Sequence, residues 1–388
     1  MDGLLESFIP LISKKDRSNS TPNLGHQTNT LPLAHLHMKR GWHPAPVHSF
    51  TLPLWFGGLY DEQRAARQDA AIFDRSHLGR FYVTGAQADQ VLRRVFASNI
   101  AAIPSRGMRR VLALRQDGTI LDIPTLCHLE SGRWLIVTGP QTQVHLPDIV
   151  EATAVELGLT DEVSVHDRLT ESVLLSVQGP RVAEYLEAVV GTTIPSAIPE
   201  GEAHELLLGG YRALVAHTSQ IAEDGYWFVL SPEIGEHFWE NSVSAGLLPA
   251  GLAAHDVLRI EAGVLEAPYE TPTPATPISA GLESLLQGAD KESIGAFAMS
   301  LESPSSRVIK IIKLTESGLA KRGDRVYSGG EDIGACVNAG YSAQLEASIA
   351  LAYLEPSLVR VEIEVGEALV TGDVLDLPLL RVPSERVP

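Results

Sequence analysis

The hydrophobic period changes once along this chain, and that change limits the fold more than any other feature. Up to about residue 285, stretches with helical spacing alternate with paired strand-like runs. Beyond about residue 300 the helical period vanishes. "RVIKIIKL", "RVYSG", "IGACVNAG", "SIALAYL", "LVRVEIEVG" and "DVLDLPLL" follow, separated by Gly-rich turns. The first part reads as α+β, antiparallel sheets with helices packed on them. The second reads as a separate all-β domain, a small barrel. A Pro/Thr-rich passage, "APYETPTPATP", lies between them as a linker or extended loop.

Within the α+β part, "LYDEQRAARQDAAIF" reads as a helix with acids in its first turn. "GRFYVTG" is a strand, and "AQADQVLRRVF" a second helix with Val91, Leu92, Val95 and Phe96 at helical spacing. "RRVLALRQDGTILDIPTLCHL" is a hairpin around Asp117-Gly118, and "RWLIVTG" adds a strand. A helix covers about residues 148–157, and "SVLLSVQGP" is a strand ending in a Gly-Pro stop. "RVAEYLEAVVG" is a helix closed by Gly191. "HTSQIAEDGYWFVL" is a hairpin with Asp224-Gly225 as its turn, and "EIGEHFWENSVSAG" and "GLAAHDVLRIEAGVLE" are further helices. The domain division is a flexible leader over 1–40, two intertwined α+β domains over 41–285 and a β-barrel over 300–388.

Residues 1–40 are polar and lack an apolar period, which suits a mobile leader. "LLESFIPLI" has neither a basic start nor a nearby cleavage site, so it does not read as a signal peptide. The formal net charge of −18 argues against nucleic acid and anionic membrane as partners. No apolar run reaches the roughly 18 residues of a membrane span. The two cysteines, Cys127 and Cys336, exclude a disulfide framework and read as reduced thiols of a cytoplasmic protein. His35, His37 and His43 lie together without a carboxylate or cysteine nearby, so no metal is expected. Nucleotide-binding, zinc-protease and serine-hydrolase signatures are all missing. Any site must therefore be assembled from scattered residues.

Several blocks, in order, resemble the aminomethyltransferase (T-protein) of the glycine cleavage system and its folate-dependent relatives. "AAIFDRSHLGRFYVTG" resembles AGLFDVSHMGxxxVxG, and "LRQDGTILDIPTL" resembles LNExGGxxDDLxVY. "LLSVQGP" resembles AVQGP, and "HTSQIAEDGYWFVL" resembles RTGYTGEDGFExxV. "PAGLAAHDVLRIEAG" resembles PxGLGARDxLRLEAG, and "SIALAYL" resembles PIALAYV. The resemblance implies two intertwined α+β domains and a C-terminal β-barrel, a cloverleaf around a central cavity that holds tetrahydrofolate.

It also implies roles. A hairpin glutamate is ordinarily a solvated turn residue. In the family the glutamate matching Glu223 accepts the amino group and ring N–H of the pterin, a paired contact of fixed geometry. Leu78 matches a methionine that packs on folate, and Gln220 matches the tyrosine of RTGYTG. The family's second aspartate, tied to activating the folate nitrogen, is Ile123 here, with Asp122 at the first position. Strand alternation points Asp122 away from that place unless a bulge re-aims it. Cys127 matches a folate-contacting tyrosine, and the family's asparagine falls near Gly139. His255 replaces a folate-directed arginine, which makes it a candidate for both folate binding and catalysis.

The implied activity is transfer of a methyl or methylene unit between a small substrate and tetrahydrofolate. Asp122, His217, His255 and Tyr226 are its candidate proton-handling residues. Loss of the second aspartate argues against the glycine-cleavage reaction and its lipoylated carrier protein. His77 reads mainly as scaffold, and Arg259 with Glu261 as a structural ion pair. Two alternatives remain open: the folate site rebuilt for another small molecule, or a non-catalytic scaffold or assembly factor.

Overall fold

A computed structural model describes residues 29–380 apart from 48, 191–193 and 303–304. Two sheets frame the α+β part. A six-stranded sheet runs in the order Ala203–Leu208, Tyr211–His217, Gly225–Leu230, Val173–Gln178, Ala71–Asp74, Leu248–Ala250. A five-stranded antiparallel sheet runs Ser164–Asp167, Gly79–Thr84, Arg133–Thr138, Thr125–Glu130, Met108–Arg110. The chain passes from the first sheet to the second after Asp74 and returns at Val173, so the two units are intertwined.

Each sheet buries one face under helices. Val91, Leu92 and Val95 of helix Ala88–Val95 pack with Leu146 and Val150 of helix His145–Glu156 over Phe81, Trp134 and Ile136. Phe238 and Trp239 of helix Pro232–Ser244 pack with Leu186 over Tyr226, Phe228 and Val177. The opposite faces meet each other, with Leu78, Cys127, Leu135 and Val137 against Leu174, Leu214 and Trp227. The C-terminal strands from Val308 to Leu375 form one seven-stranded sheet, joined to the rest through helix Leu252–Glu261.

Several elements differ from the sequence reading. The leader does not extend to residue 40, because Leu33, Leu36 and His37 of the 31–38 segment are buried in the core. Its first 28 residues, and the closure of helix Val182–Val190 at Gly191, lie outside the described residues. The helix beginning at Leu59 ends at Gln68, and Ala71–Asp74 is a strand, since its four residues are buried between strands. Asp224-Gly225 is not a two-residue turn. His217 pairs with Tyr226, and residues 218–224 form a longer loop. The Pro/Thr-rich passage is a packed loop rather than a free linker, with Glu270 and Thr271 fully buried.

His37 has the carboxylate that the sequence did not place beside it: its Nε2 lies 2.8 Å from Asp74 Oδ2. Among the described residues, no three His, Cys, Asp or Glu side chains are grouped to hold a metal ion. None of the described helices is long and apolar enough to cross a membrane.

Candidate functional site

The facing sheets and the segment after helix Leu252–Glu261 enclose a cleft of about 50 Å³. The five-stranded sheet and its neighbours contribute Leu78, Arg110, Asp122, Ile123, Thr138 and Gly139. The six-stranded sheet side contributes Gln220 and Trp227, and the third segment Val264, Glu266 and Ala267.

Asp122 reaches this wall through an irregular strand pair. Ala113 pairs with Asp122 and Leu114 with Ile120, so Leu121 is an extra residue between them. Both Asp122 and Ile123 then line the cleft. The Asp122 carboxylate is 2% exposed. It accepts the amides of Ile123 at 2.7 Å and Gly139 at 3.1 Å, and the Thr142 hydroxyl. Burial pushes its pKa up to about 6 against those three hydrogen bonds, and the charge of Glu266 adds to the rise.

Glu266 is held the other way. Burial opposes its charge, yet Arg75 Nη2 at 2.5 Å and Arg259 Nε at 3.9 Å keep it well below the usual carboxylate range. The two cleft carboxylates thus titrate far apart: Glu266 stays ionised, while Asp122 takes up a proton just below neutrality.

Leu78 sits in a turn fixed by Arg80, whose guanidinium donates to the carbonyls of Ser76 at 3.1 Å and Leu78 at 2.5 Å. Gln220 is placed by Gln178, the glutamine of the "VQGP" block. Gln178 accepts the Gln220 amide at 3.0 Å and donates to the Thr218 carbonyl at 3.1 Å.

Glu223 lies three residues on in the same loop, after Ala222, whose φ of 63° is left-handed. Its carboxylate is 18% exposed and lies 3.3 Å from Arg67 Nη1. Arg67 also binds the Ile221 and Leu258 carbonyls and Glu261, tying this loop to helix Leu252–Glu261. The structure therefore gives Glu223 a fixed position in the loop that carries Gln220, though not on the cleft wall itself.

Three expected candidates are placed elsewhere. His217 and Tyr226 are cross-strand partners whose rings stack at 4.3 Å on the sheet face opposite the cleft. The adjacent Trp227 is the residue that faces it. His217 is held by Asp224 at 2.6 Å and the Ile198 carbonyl at 2.8 Å. Burial disfavours its charge, but those two partners outweigh burial and raise its pKa. The Tyr226 hydroxyl is pushed up by burial and by Asp224 and Glu200, so it is a poor acid near neutrality.

His255 is 1% exposed and lies edge-on to Phe73. Burial, with Arg75 and Arg259 nearby, holds it well below its ordinary pKa, so it is neutral and cannot supply a cationic acid. His77 is buried nearby and does not line the cleft. Cys127 is buried, with its thiol pushed up to about 12 by burial. Arg259 does not pair with Glu261, because residues two apart on a helix point to different sides. Its guanidinium meets Asp256 and, at 2.8 Å, Glu270, while Glu261 meets Arg67 at 2.6 Å.

Sequence reasoning missed Trp227, Arg110 and Glu266. Trp227 was open to detection, because Tyr226 and Trp227 must point to opposite faces of their strand. Arg110 and Glu266 lie in the quoted hairpin and helix stretches but outside the blocks that carry the family resemblance.

Residues 33–289 match the GCVT N-terminal domain, and residues 307–380 match the glycine cleavage T-protein C-terminal barrel domain. Similar proteins include the aminomethyltransferase of Symbiobacterium thermophilum, 32% identical over 92% of this chain and 98% of that protein. The aminomethyltransferase of Streptomyces coelicolor is 32% identical over 79% of this chain and 84% of its own. The crystal structure of glycine cleavage system aminomethyltransferase T from Bartonella henselae has the same fold. It superposes with a TM-score of 0.83 at 24% identity, over 91% of this chain and 98% of that one. With both parts matched and a 32% identical relative covered almost end to end, the chain belongs to the glycine cleavage T-protein (aminomethyltransferase) family.

Proposed function

We propose that this chain transfers a methyl or methylene unit between a small substrate and tetrahydrofolate, with Asp122 handling the proton. The observation that carries this reading is the contrast between Asp122, pushed up to about 6, and Glu266, held ionised, both lining one cleft. A group that gains and loses a proton near neutrality suits general acid–base work.

The residues present suit the folate ring chemically. Asp122 and Glu266 are acceptors for ring N–H groups, Leu78, Ile123 and Val137 supply apolar contact, and Trp227 a flat aromatic face. The space is tighter. At roughly 10–15 Å³ for each water-sized group, 50 Å³ holds only a handful, so a two-ring heterocycle enters only if side chains such as Ile123 and Gln220 withdraw. We assign Glu223, oriented by Arg67, to the amino edge of the pterin. Tetrahydrofolate, when bound, supplies the nitrogen that accepts or releases the one-carbon unit. Asp122 holds or removes a proton at its Oδ atoms, and the apolar wall excludes water from that proton.

The test is calorimetric titration with tetrahydrofolate, followed by a donor-dependent assay for methyl- or methylenetetrahydrofolate in the wild type and Asp122→Asn. Absence of folate binding defeats the reading. The relatives' name, Aminomethyltransferase, favours a second reading, transfer from an aminomethyl group carried on a lipoylated protein. Ile123 in place of a second carboxylate argues for the small-molecule donor. Supplying the aminomethylated carrier in the same assay separates the two.

A further inference from the structure

A second hollow, of about 410 Å³, opens in the gap between the two sheets. Its floor is apolar: Leu135 of the five-stranded sheet packs with Leu214 and Val229 of the six-stranded one. Leu135 and Val229 stand two residues from Val137 and Trp227 of the cleft, on the same strand faces. The hollow therefore lies roughly 7 Å along the strands from the cleft, behind an apolar partition.

Its rim is cationic in an acidic chain. Four arginines line the hollow against two glutamates, while the whole chain carries a formal net charge of −18. Part of that charge is already matched. Arg133 forks onto Glu205 at 2.6 and 2.7 Å, and Arg168 pairs with Glu171. Arg80 is buried and spends its hydrogen bonds on carbonyls and the Ser172 hydroxyl, so Asp74 and Asp167 act on it only through space. The side chains of Arg212 and His166 have no partner among the described residues. Strand alternation brings those two together. Arg212 stands two residues from Leu214 on one sheet, and His166 lies beside Tyr82 on the other, so both project into the gap. Uncommitted donors thus arrive from both walls.

We infer that this hollow is a second binding site, for a small phosphate monoester with a flat or apolar body. The phosphate sits between Arg212 and His166, and the body lies on the floor of Leu135, Leu214 and Val229. A carboxylate suits a single guanidinium fork, whereas a phosphate offers three acceptor oxygens to donors that come from separate walls. Its charge of about −1.5 to −2 complements Arg212 and the buried Arg80, which no carboxylate touches. The volume is that of a small-molecule pocket. The site is separate from the cleft and stands whether or not folate binds there.

The experiment is calorimetry on the full chain with phenyl phosphate, inorganic phosphate and phenol. Phenyl phosphate should saturate one site. It should bind at least about tenfold more tightly than inorganic phosphate, because its ring is buried on the apolar floor. Phenol alone should give no measurable heat. Arg212→Gln, at an exposed strand position, should weaken phenyl phosphate at least about tenfold without moving the melting temperature. If that variant fails to fold, His166→Gln, also exposed, decides, with a loss of at least about threefold expected.

No saturable binding overturns the inference, as does equal affinity for the two phosphates, which describes a diffuse counterion. Affinity that survives in both Arg212→Gln and His166→Gln also overturns it. Affinity lost in Arg110→Gln but kept in Arg212→Gln assigns the ligand to the cleft and defeats the second site. An oligo-aspartate peptide forms the last arm. Its Arg212-dependent binding, with none of phenyl phosphate, makes the rim a contact for an acidic protein segment and sinks the small-molecule site.

Discussion

Asp122 and Gly139 fit each other. The Gly139 amide donates to Asp122 Oδ2 at 3.1 Å, and a Cβ at position 139 would lie 3.2 Å from Asp122 Oδ1 and 3.1 Å from the Ala267 carbonyl. The absence of a side chain at 139 lets the carboxylate settle against the backbone. Gly139→Ala should destabilise by about 1–3 kcal/mol through overpacking. It should also displace Asp122 and lower turnover more than substrate affinity. Urea unfolding with parallel steady-state kinetics checks both. A variant as stable and active as wild type shows that the contact is slack.

The Asp122 carboxyl predicts two pH effects. As a base it must be ionised, so kcat/KM should rise with pH through about 6 and level off above. Asp122→Asn should remove that limb and cost about 10²–10⁴-fold in rate. For stability, the folded pKa of about 6 exceeds the ordinary 3.8, so this group's contribution is full below 3.8 and is lost as pH rises through about 6. The urea midpoint of wild type relative to Asp122→Asn should therefore fall over that window. A difference independent of pH rejects the raised value.

The fold was far more legible in the sequence than the site. The change of period near residue 300 separates the two architectures because a strand alternates every two residues and a helix every 3.6. The site depends on which face of a strand looks into the cleft. All six residues of Gly225–Leu230 are buried, so polar alternation, the usual cue, is missing. Nothing in the residue pattern therefore tells Tyr226 from Trp227 as the one that faces the cleft. Asp122 depended on an irregularity at Leu121, which no residue type in "TILDIP" announces. Arg110 and Glu266 acquire meaning only when distant segments meet.

Glu223 is bound to Arg67 and is proposed to take the pterin as a second partner. Arg67 holds it at 3.3 Å, but Arg67 also has Glu261 at 2.6 Å and two carbonyls, so it does not depend on Glu223. Glu223→Gln should therefore leave the fold within about 1 kcal/mol of wild type. Folate affinity should weaken at least about tenfold, because a charge-assisted hydrogen bond is worth about 1.5–3 kcal/mol. Calorimetry with tetrahydrofolate and a melting curve read the two quantities separately. Unchanged affinity would return the carboxylate to a purely structural role with Arg67.

His217 provides the opposite kind of test, a candidate that geometry removes from the chemistry. Its ring stacks on Tyr226 behind the strand whose other face carries Trp227. His217→Gln should change kcat/KM by less than about threefold, well short of the 10²–10⁴-fold expected of a general acid or base. Its effect should appear in stability instead. Burial opposes the charged ring, but Asp224 and the Ile198 carbonyl raise the folded pKa above 6.5. The stabilisation is then full below 6.5 and fades as pH rises through the folded value. Titration of the ring by NMR should place it above 6.5, and Asp224→Asn should lower it, since that carboxylate lies 2.6 Å from Nε2. A catalytic collapse in His217→Gln with unaltered stability would put the imidazole back into the reaction and require the strand to present its other face to the cleft.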